Sequence, residues 1–279
     1  MAIFMDFPDS FTTEEEDSLV SEFLSKGYVL REAPSPNVLY DLRKVVVELA
    51  CELLSVDYPD DEDNFLVRIH ELVDVVNLNE FRMAIYQRMN GFDWFRPTYF
   101  AMGKPFLEKI VGNELAMQNR VNFSIQLPQD LSSLIGLHSD SFSGETPFQV
   151  VQWVPLMSTF STNAMYLLPP DKNREFFPQF AEIAKEGGLE AVFDQVEPFL
   201  EWVKVPFGSV MIFSPNLFHG NVVNQTENTR WSMNTRFTGL FTPYTDVAKN
   251  LGTFYLPVTM KPVSVIGANY TVPRGLSRE

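Results

Sequence analysis

The chain has one cysteine, three histidines and no apolar run long enough to cross a bilayer, and each shortage removes a class of explanation. Cys51 alone cannot close an internal disulfide, and its surroundings, VVVELACELL, place it on an apolar helix as a buried, inert thiol. No stretch approaches the ~18 consecutive apolar residues of a membrane helix. The opening residues, MAIFMDFPDS, lack the basic region and long apolar run of a signal peptide, so a cytoplasmic protein is expected. Basic residues are also scarce: 21 Lys and Arg stand against 36 Asp and Glu, for a net charge of −15. That field repels phosphate backbones and anionic membranes, so the expected partner is a small molecule rather than nucleic acid or a lipid surface. A homo-oligomer stays open. Much of the acidity is local, in TEEED (13–17) and DYPDDED (57–63), which read as solvated helix starts or loops. Glycine-rich nucleotide loops, CxxC pairs and G-x-S-x-G elbows are absent, which leaves nucleotide, dithiol and α/β-hydrolase chemistry without support.

Aromatics are plentiful, with 25 Phe, 9 Tyr and 4 Trp, and 45% of residues are apolar. That is enough to fill one large core, and no repeat or Gly/Ser linker marks a second domain. Residues 1–115 read as a helical buttress. TTEEEDSLVSEFLSKG carries Thr12 three places before Glu15, a capping-box spacing, and closes on Gly27. A short extended piece, GYVLREAP, follows, and Ser35-Pro36 opens the next helix. Further helices are expected at about 63–76, 78–89 and 99–111, the last stopped by Gly112. From about 118 the period shortens. VNFSIQLP, PFQVVQWVPL, NAMYLLPP, WVKVPFGSVMIFSP, LFHGNVVN and RWSMNTRFTGLF are strand-like runs separated by turn residues. The fold class expected is mainly β with flanking helices: a jelly-roll core over 116–240, interrupted by a helical insertion at 172–200 and followed by an extension, 241–279.

His138 and Asp140, in LHSD, lie two residues apart, so an extended segment points both the same way. Alone, H-x-D is as compatible with a loop as with a metal. His219, in SPNLFHG after an apolar strand, supplies a third ligand if a jelly-roll hairpin returns it to the pair. Two imidazoles and one carboxylate form a facial triad suited to non-heme iron, with positions left open, and zinc accepts the same donors. The polar turn NQTENT then leads to Arg230, expected to start a strand beside the one carrying His219. Alternation puts Arg230, Ser232, Asn234 and Arg236 on one face, an unusually polar row for a strand otherwise built of Trp, Met and Phe. A buried guanidinium needs an anion, and Arg-x-Ser can grip a carboxylate with several hydrogen bonds. A metal with open positions and a carboxylate clamp nearby suits a 2-oxo acid.

His138-Ser139-Asp140, His219 and Arg230-x-Ser232 resemble the H-x-D…H…R-x-S pattern of Fe(II)/2-oxoglutarate-dependent dioxygenases. The surrounding stretches, QLPQDLSSLIGLHSDSFSGETPFQVVQWVPL and FHGNVVNQTENTRWSMNTRF, look most like a phytanoyl-CoA dioxygenase-like branch found in bacterial carbohydrate-biosynthesis clusters. The resemblance spans about 118–240. It implies a double-stranded β-helix and makes His138, Asp140 and His219 the ligands of a catalytic Fe(II). Arg230 and Ser232 become the partners of the far carboxylate of 2-oxoglutarate. The implied reaction consumes 2-oxoglutarate and O₂, releases succinate and CO₂, and oxidises a C–H bond of a small molecule, with a sugar or sugar-containing metabolite as the candidate. The alternatives are a non-enzymatic cupin-like binder with a structural metal and a zinc hydrolase, for which no general base stands out.

Arg236, Asn122, Gln126 and Trp153 are further candidates for substrate or co-substrate contacts. Asn122, Ser124 and Gln126 share one strand face, which fits a barrel lumen or a solvent face equally. Trp153 suits the core or the wall of a site. The loop SFSGETPF (141–148) is placed to close over a substrate. His70 has no partner motif, and GFDWFRPTYF (91–100) reads as core packing.

Overall fold

The structure, a computed structural model, describes residues 11–273, so the N-terminal reading of MAIFMDFPDS and the last six residues lie outside the described residues. The chain opens with α1 (Glu14–Lys26), β1 (Tyr28–Glu32), α2 (Pro36–Leu54), α3 (Glu62–Val67), α4 (Val75–Asn90) and α5 (Phe95–Ile110). It continues through β2 (Leu115–Gln118), β3 (Asn122–Gln126), β4 (Gln149–Pro155) and β5 (Met165–Leu167). Next come α6 (Pro170–Phe176), α7 (Phe180–Val196), β6 (Glu201–Val203), β7 (Ser209–Phe213) and β8 (His219–Gly220). β9 (Arg230–Gly239), β10 (Tyr255–Pro257) and α8 (Pro262–Ala268) complete it.

Local chemistry sets most boundaries. The capping box of α1 is shifted one residue from the expected pair: Thr13 Oγ1 accepts from Glu16 N, and the Glu16 carboxylate accepts from Thr13 N at 2.8 Å. Gly27, at φ +79°, then closes the helix in the left-handed conformation that glycine tolerates. The helix expected over 63–76 stops at Val67. After one 3-10 turn, Asp74 caps α4 by accepting from Asn77 N at 2.9 Å. Aspartate prefers that terminal position to a helix interior, because its side chain competes for backbone N–H groups. Helix α5 starts at Phe95, earlier than expected, so Phe95 and Tyr99 are core while Phe92 and Trp94 remain exposed.

Two antiparallel sheets form a jelly-roll sandwich. The larger has the order β1-β7-β4-β9-β2-β10, with β3 also pairing β9. The smaller is β6-β5-β8. β1, from the helical first part, and β10, from the C-terminal extension, both join the larger sheet. β2 and β10 carried little strand signal because they are short and flanked by loops.

Alternation along the strands sorts the side chains into two cores. Val150, Val154, Val210, Ile212, Trp231, Met233 and Phe237 face the helices and merge with residues of α2, α4 and α5. Val151, Trp153, Met211 and Phe213 turn the other way and pack with Met165, Leu167 and Val203 of the smaller sheet. A third cluster, including Leu137, Tyr166 and Phe218, is covered by α6 and α7, the latter broken at Gly187-Gly188. Cys51 is buried, and burial pushes its thiol pKa up, as its apolar setting suggested. Among the described residues, no helix is long and apolar enough to cross a membrane.

Candidate metal centre

His138 and His219 are brought together by the backbone. His138 N donates to His219 O at 3.0 Å and His219 N donates to His138 O at 2.9 Å, so LHSD adds to the open edge of β8. The two rings lie 4.2 Å apart between centroids. The approach depends on Gly220, where a Cβ would sit 2.6–2.8 Å from the Tyr166 hydroxyl and the carbonyls of Ile135 and Gly136. Asp140 ends the extended segment and opens a 3-10 turn, with its N–H donating to Pro215 O at 3.0 Å.

Each imidazole is aimed. Nδ1 of His138 is 2.8 Å from Gly136 O, and Nδ1 of His219 is 2.8 Å from Leu217 O. Each Nδ1–H donates to its carbonyl, leaving Nε2 with its lone pair directed inward, as metal-binding histidines require. Asp140 Oδ1 lies 3.6 Å from His138 Nε2 and 3.8 Å from His219 Nε2. One atom from each residue falls within 4.8 Å of the others, a group able to hold a metal ion.

The electrostatics agree. Burial, together with the charge of His138, holds the His219 imidazolium down to about 4, so the ring is neutral at neutral pH. Burial also lowers His138, but the bond to Asp140 outweighs it and its pKa is raised. Burial would raise the Asp140 carboxyl, yet His138 and the Arg236 guanidinium hold it well below the usual carboxylate range.

A cavity of about 130 Å³ begins at these three residues and reaches Ser124, Arg230, Ser232, Asn234 and Arg236 on the larger sheet. The polar row expected on β9 is therefore one wall of the cavity. Its position differs from the sequence reading in one respect. β9 does not lie beside the strand of His219, because residues 221–229 cross from the smaller sheet to the larger, where β9 pairs β3, β4 and β2. The Asn224 amide bonds to the carbonyls of Asn228 and Gln126, which holds that crossing away from a tight hairpin. Arg230 thus faces His219 across the cavity.

Arg230 is buried, and burial lowers its pKa to about 10, leaving it a cation at neutral pH. Among the described residues its only side-chain bond is a long one, from Nη1 to Asn163 O at 3.4 Å. Its Nε and the buried Ser232 Oγ have no partner among the described residues. Arg236 is different: its guanidinium contacts Asp140, Glu145 and Gln118. Burial lowers its pKa, but the two carboxylates more than compensate and raise it.

The other expected residues divide. Trp153 lines the cavity and also packs in the inter-sheet core. Ser124 faces the cavity. Asn122 donates to Asn234 Oδ1 at 2.9 Å from a half-buried position, and the Gln126 amide donates to Val222 O at 2.6 Å; neither lines the cavity. His70 lies outside it, its Nδ1 2.9 Å from Thr229 Oγ1, where it helps anchor the start of β9. The loop after Asp140 holds Phe142 against Phe177 and Phe180. Glu145, Lys249 and Asn221 were not anticipated: the first two reach Arg236 or its partner, and Asn221 ties Ile135 N to β8 at 2.6 Å. No spacing rule links 145, 236 and 249.

No family model matches the chain, and no curated protein matches it by sequence. Solved structures do resemble it. A non-heme monooxygenase, ThoJ, in complex with nickel, superposes with TM-score 0.55 at 14% identity, covering 88% of this chain and 85% of that one. HygX from Streptomyces hygroscopicus, with nickel and 2-oxoglutarate bound, gives 0.53 at 15% identity, covering 84% and 89%. SnoK, a non-heme α-ketoglutarate-dependent carbocyclase from nogalamycin biosynthesis, gives 0.53 at 15%, covering 91% and 99%. The fold is the one these oxygenases share. It is the double-stranded β-helix, and the coverage of SnoK extends the likeness over nearly the whole chain.

Proposed function

We propose that the protein is an Fe(II)/2-oxoglutarate-dependent oxygenase that oxidises a C–H bond of a small molecule. The observation that carries the proposal is the unpartnered Arg230 Nε and Ser232 Oγ, buried at one end of a cavity whose other end holds the His138, Asp140 and His219 donors. A buried guanidinium without an anion is costly, so the site is built to receive one. A dicarboxylate with a keto group meets both ends, and a nickel ion and 2-oxoglutarate are what HygX holds in the same fold.

In this reading His138 Nε2, Asp140 Oδ1 and His219 Nε2 would hold the metal, while Arg230 and Ser232 would hold the far carboxylate of 2-oxoglutarate. Iron with 2-oxoglutarate and O₂ supplies the oxidising power. The chain's own residues bind, orient and exclude water. Met165, Val151 and Phe213 give the cavity apolar walls, which strengthens the Arg230–carboxylate interaction by lowering the local dielectric. Three protein donors would leave a bound metal room for the co-substrate.

We assign the substrate to a neighbouring cavity. A second cavity of about 260 Å³ shares Ser124 and Ile135 with the first and runs between α4 and residues 132–135. Ser132, Ser133, Asn79 and Arg82 give it polar donors beside the apolar Leu78 and Leu134. That mixture suits a hydroxylated small molecule and supports the sugar or sugar-containing metabolite expected from the resemblance. A single-domain, cytoplasmic biosynthetic enzyme is the matching picture. A protein that only held a structural metal would need no keto-acid clamp beside it, so the three donors and the unpartnered guanidinium in one cavity together favour the oxygenase reading.

The test is aerobic turnover. Protein reconstituted with Fe(II) and 2-oxoglutarate releases succinate slowly without a prime substrate, and faster with a hydroxylated compound that fits the second cavity. Absence of succinate above the level of a His219→Ala variant would reject the oxygenase reading.

A further inference from the structure

Two arginines project from the same face of β9, and the structure separates their roles. Arg230 has a single weak bond to a carbonyl, whereas Arg236 is fully engaged. Arg236 Nη2 donates to Asp140 Oδ2 at 2.7 Å and Nε donates to the same oxygen at 3.0 Å. The other oxygen of that carboxylate, Oδ1, is the one facing both imidazoles. A free carboxylate can turn and offer either oxygen, or both, to a metal. Two charge-assisted bonds on Oδ2 remove that choice and leave Oδ1 as the donor.

Arg236 is itself held from behind. Its Nε also pairs with Glu145 Oε2, and Nη1 donates to Gln118 Oε1 at 3.3 Å. Glu145 is buried and takes Lys249 Nζ on Oε1 at 3.0 Å and Gln149 Nε2 on Oε2 at 3.0 Å. Gln149 in turn accepts from the Tyr255 hydroxyl. Lys249 and Tyr255 both belong to the segment after β9. A continuous polar chain therefore runs from that segment through Glu145 and Arg236 to Asp140, with two anions balanced by two cations.

We propose that Arg236, backed by Glu145 and Lys249, is a positioning residue that fixes Asp140 to bind metal through Oδ1 alone. The residues after β9 thereby become part of the metal centre. This gives Arg236 a role beside the expected substrate or co-substrate contact: Nε and Nη2 are engaged by carboxylates and Nη1 by Gln118, while the residue still lines the cavity. The inference rests on the metal reading above but concerns metal binding only, so it is tested without turnover or 2-oxoglutarate.

Metal-free protein is titrated with Co(II), reading both affinity and the visible ligand-field spectrum, in wild type, Arg236→Met, Arg236→Lys, Glu145→Gln and Lys249→Met. Arg236→Met is expected to weaken Co(II) binding by roughly 10- to 100-fold and to change the spectrum, because Asp140 is free to turn. Arg236→Lys restores part of the affinity, and Lys249→Met shifts affinity in the same direction by a smaller factor. A fold defect alone would not move the spectrum of the metal-bound fraction. If Arg236→Met proves unfolded, Glu145→Gln and Lys249→Met carry the test with the same expected spectral change. Wild-type uptake of Co(II) with affinity and spectrum unchanged across the folded variants would overturn the positioning role while leaving the metal reading intact. Wild type that takes up no Co(II) would overturn both.

Discussion

Arg230 is a buried cation with no anionic partner among the described residues, and this gives a prediction in which stability and binding move in opposite directions. Arg230→Met removes an unpaired buried charge of similar shape. The ligand-free protein should therefore be stabilised by about 1 to 3 kcal/mol, read as a higher Tm. The same variant should bind 2-oxoglutarate roughly 100-fold more weakly, since it loses charge-assisted bonds to the carboxylate. A variant that is less stable and binds normally would show that Arg230 is a structural residue.

The metal residues predict a pH dependence. Burial depresses the folded pKa of His219 to about 4, against ~6.5 for an unfolded histidine. Its contribution to stability is full above ~6.5 and is lost as pH falls toward 4, because only the unfolded state takes up the proton. Asp140, also depressed, acts in the same direction at lower pH. His138, whose pKa is raised, acts oppositely: its contribution is present at low pH and lost as pH rises through its folded value. The Tm of metal-free protein should fall between pH 6.5 and 4, and this fall should flatten in His219→Gln. Metal affinity should also drop with pH, because His138 must release its proton to ligate. The grouping of His138, Asp140 and His219 was legible in the sequence because H-x-D followed by a distal histidine is an ordered pattern. Glu145 and Lys249 were not, since their link to Arg236 exists only in three dimensions.

Elements are positioned by contacts that fix distance between layers. Helix α5 lies close to β4 because Gly103 has no side chain: a Cβ there would meet Gln152 Oε1 at 1.9 Å. The Gln152 amide uses that space to donate to Tyr99 O at 2.7 Å, and the Tyr99 hydroxyl donates to the carbonyls of Gln152 and Met233. Gly103→Ala should cost about 1 to 3 kcal/mol by overpacking. Adding Gln152→Ala should recover part of that loss in a double-mutant cycle by denaturant unfolding. Simple additivity would contradict the contact. At this scale the sequence showed strands through alternation and helices through caps, but it misplaced the partner of β9. A polar turn between two strands suggests a hairpin, and nothing local reveals that residues 221–229 cross between sheets instead.

The whole molecule carries a net charge of −15, and its paired buried charges do not offset the excess on the surface. Like charges across a compact surface repel, and salt screens them within a Debye length of about 10 Å at 0.1 M. Raising sodium chloride from ~0.02 to ~0.2 M should lift the Tm by a few degrees, and a flat or falling Tm would contradict the repulsion. The layered arrangement puts that acidity outside, where it does not compete with Arg230, while the inter-sheet cavity keeps the cation dry. The jelly roll was legible from helices first and short strands afterwards. GYVLREAP showed as extended, but its place beside β7 in the larger sheet was not legible, and β10 is too short to carry a pattern of its own.

The central claim is that one cavity holds a metal on His138, Asp140 and His219 and a 2-oxo acid clamped by Arg230. It is tested most directly by anaerobic visible spectroscopy of the protein with Fe(II) and 2-oxoglutarate together. A charge-transfer band requires both to be bound in contact. It should appear only when both are present, vanish in His219→Ala, and need far more 2-oxoglutarate in Arg230→Met. A wild-type protein that shows no such band at saturating Fe(II) and 2-oxoglutarate would contradict the account.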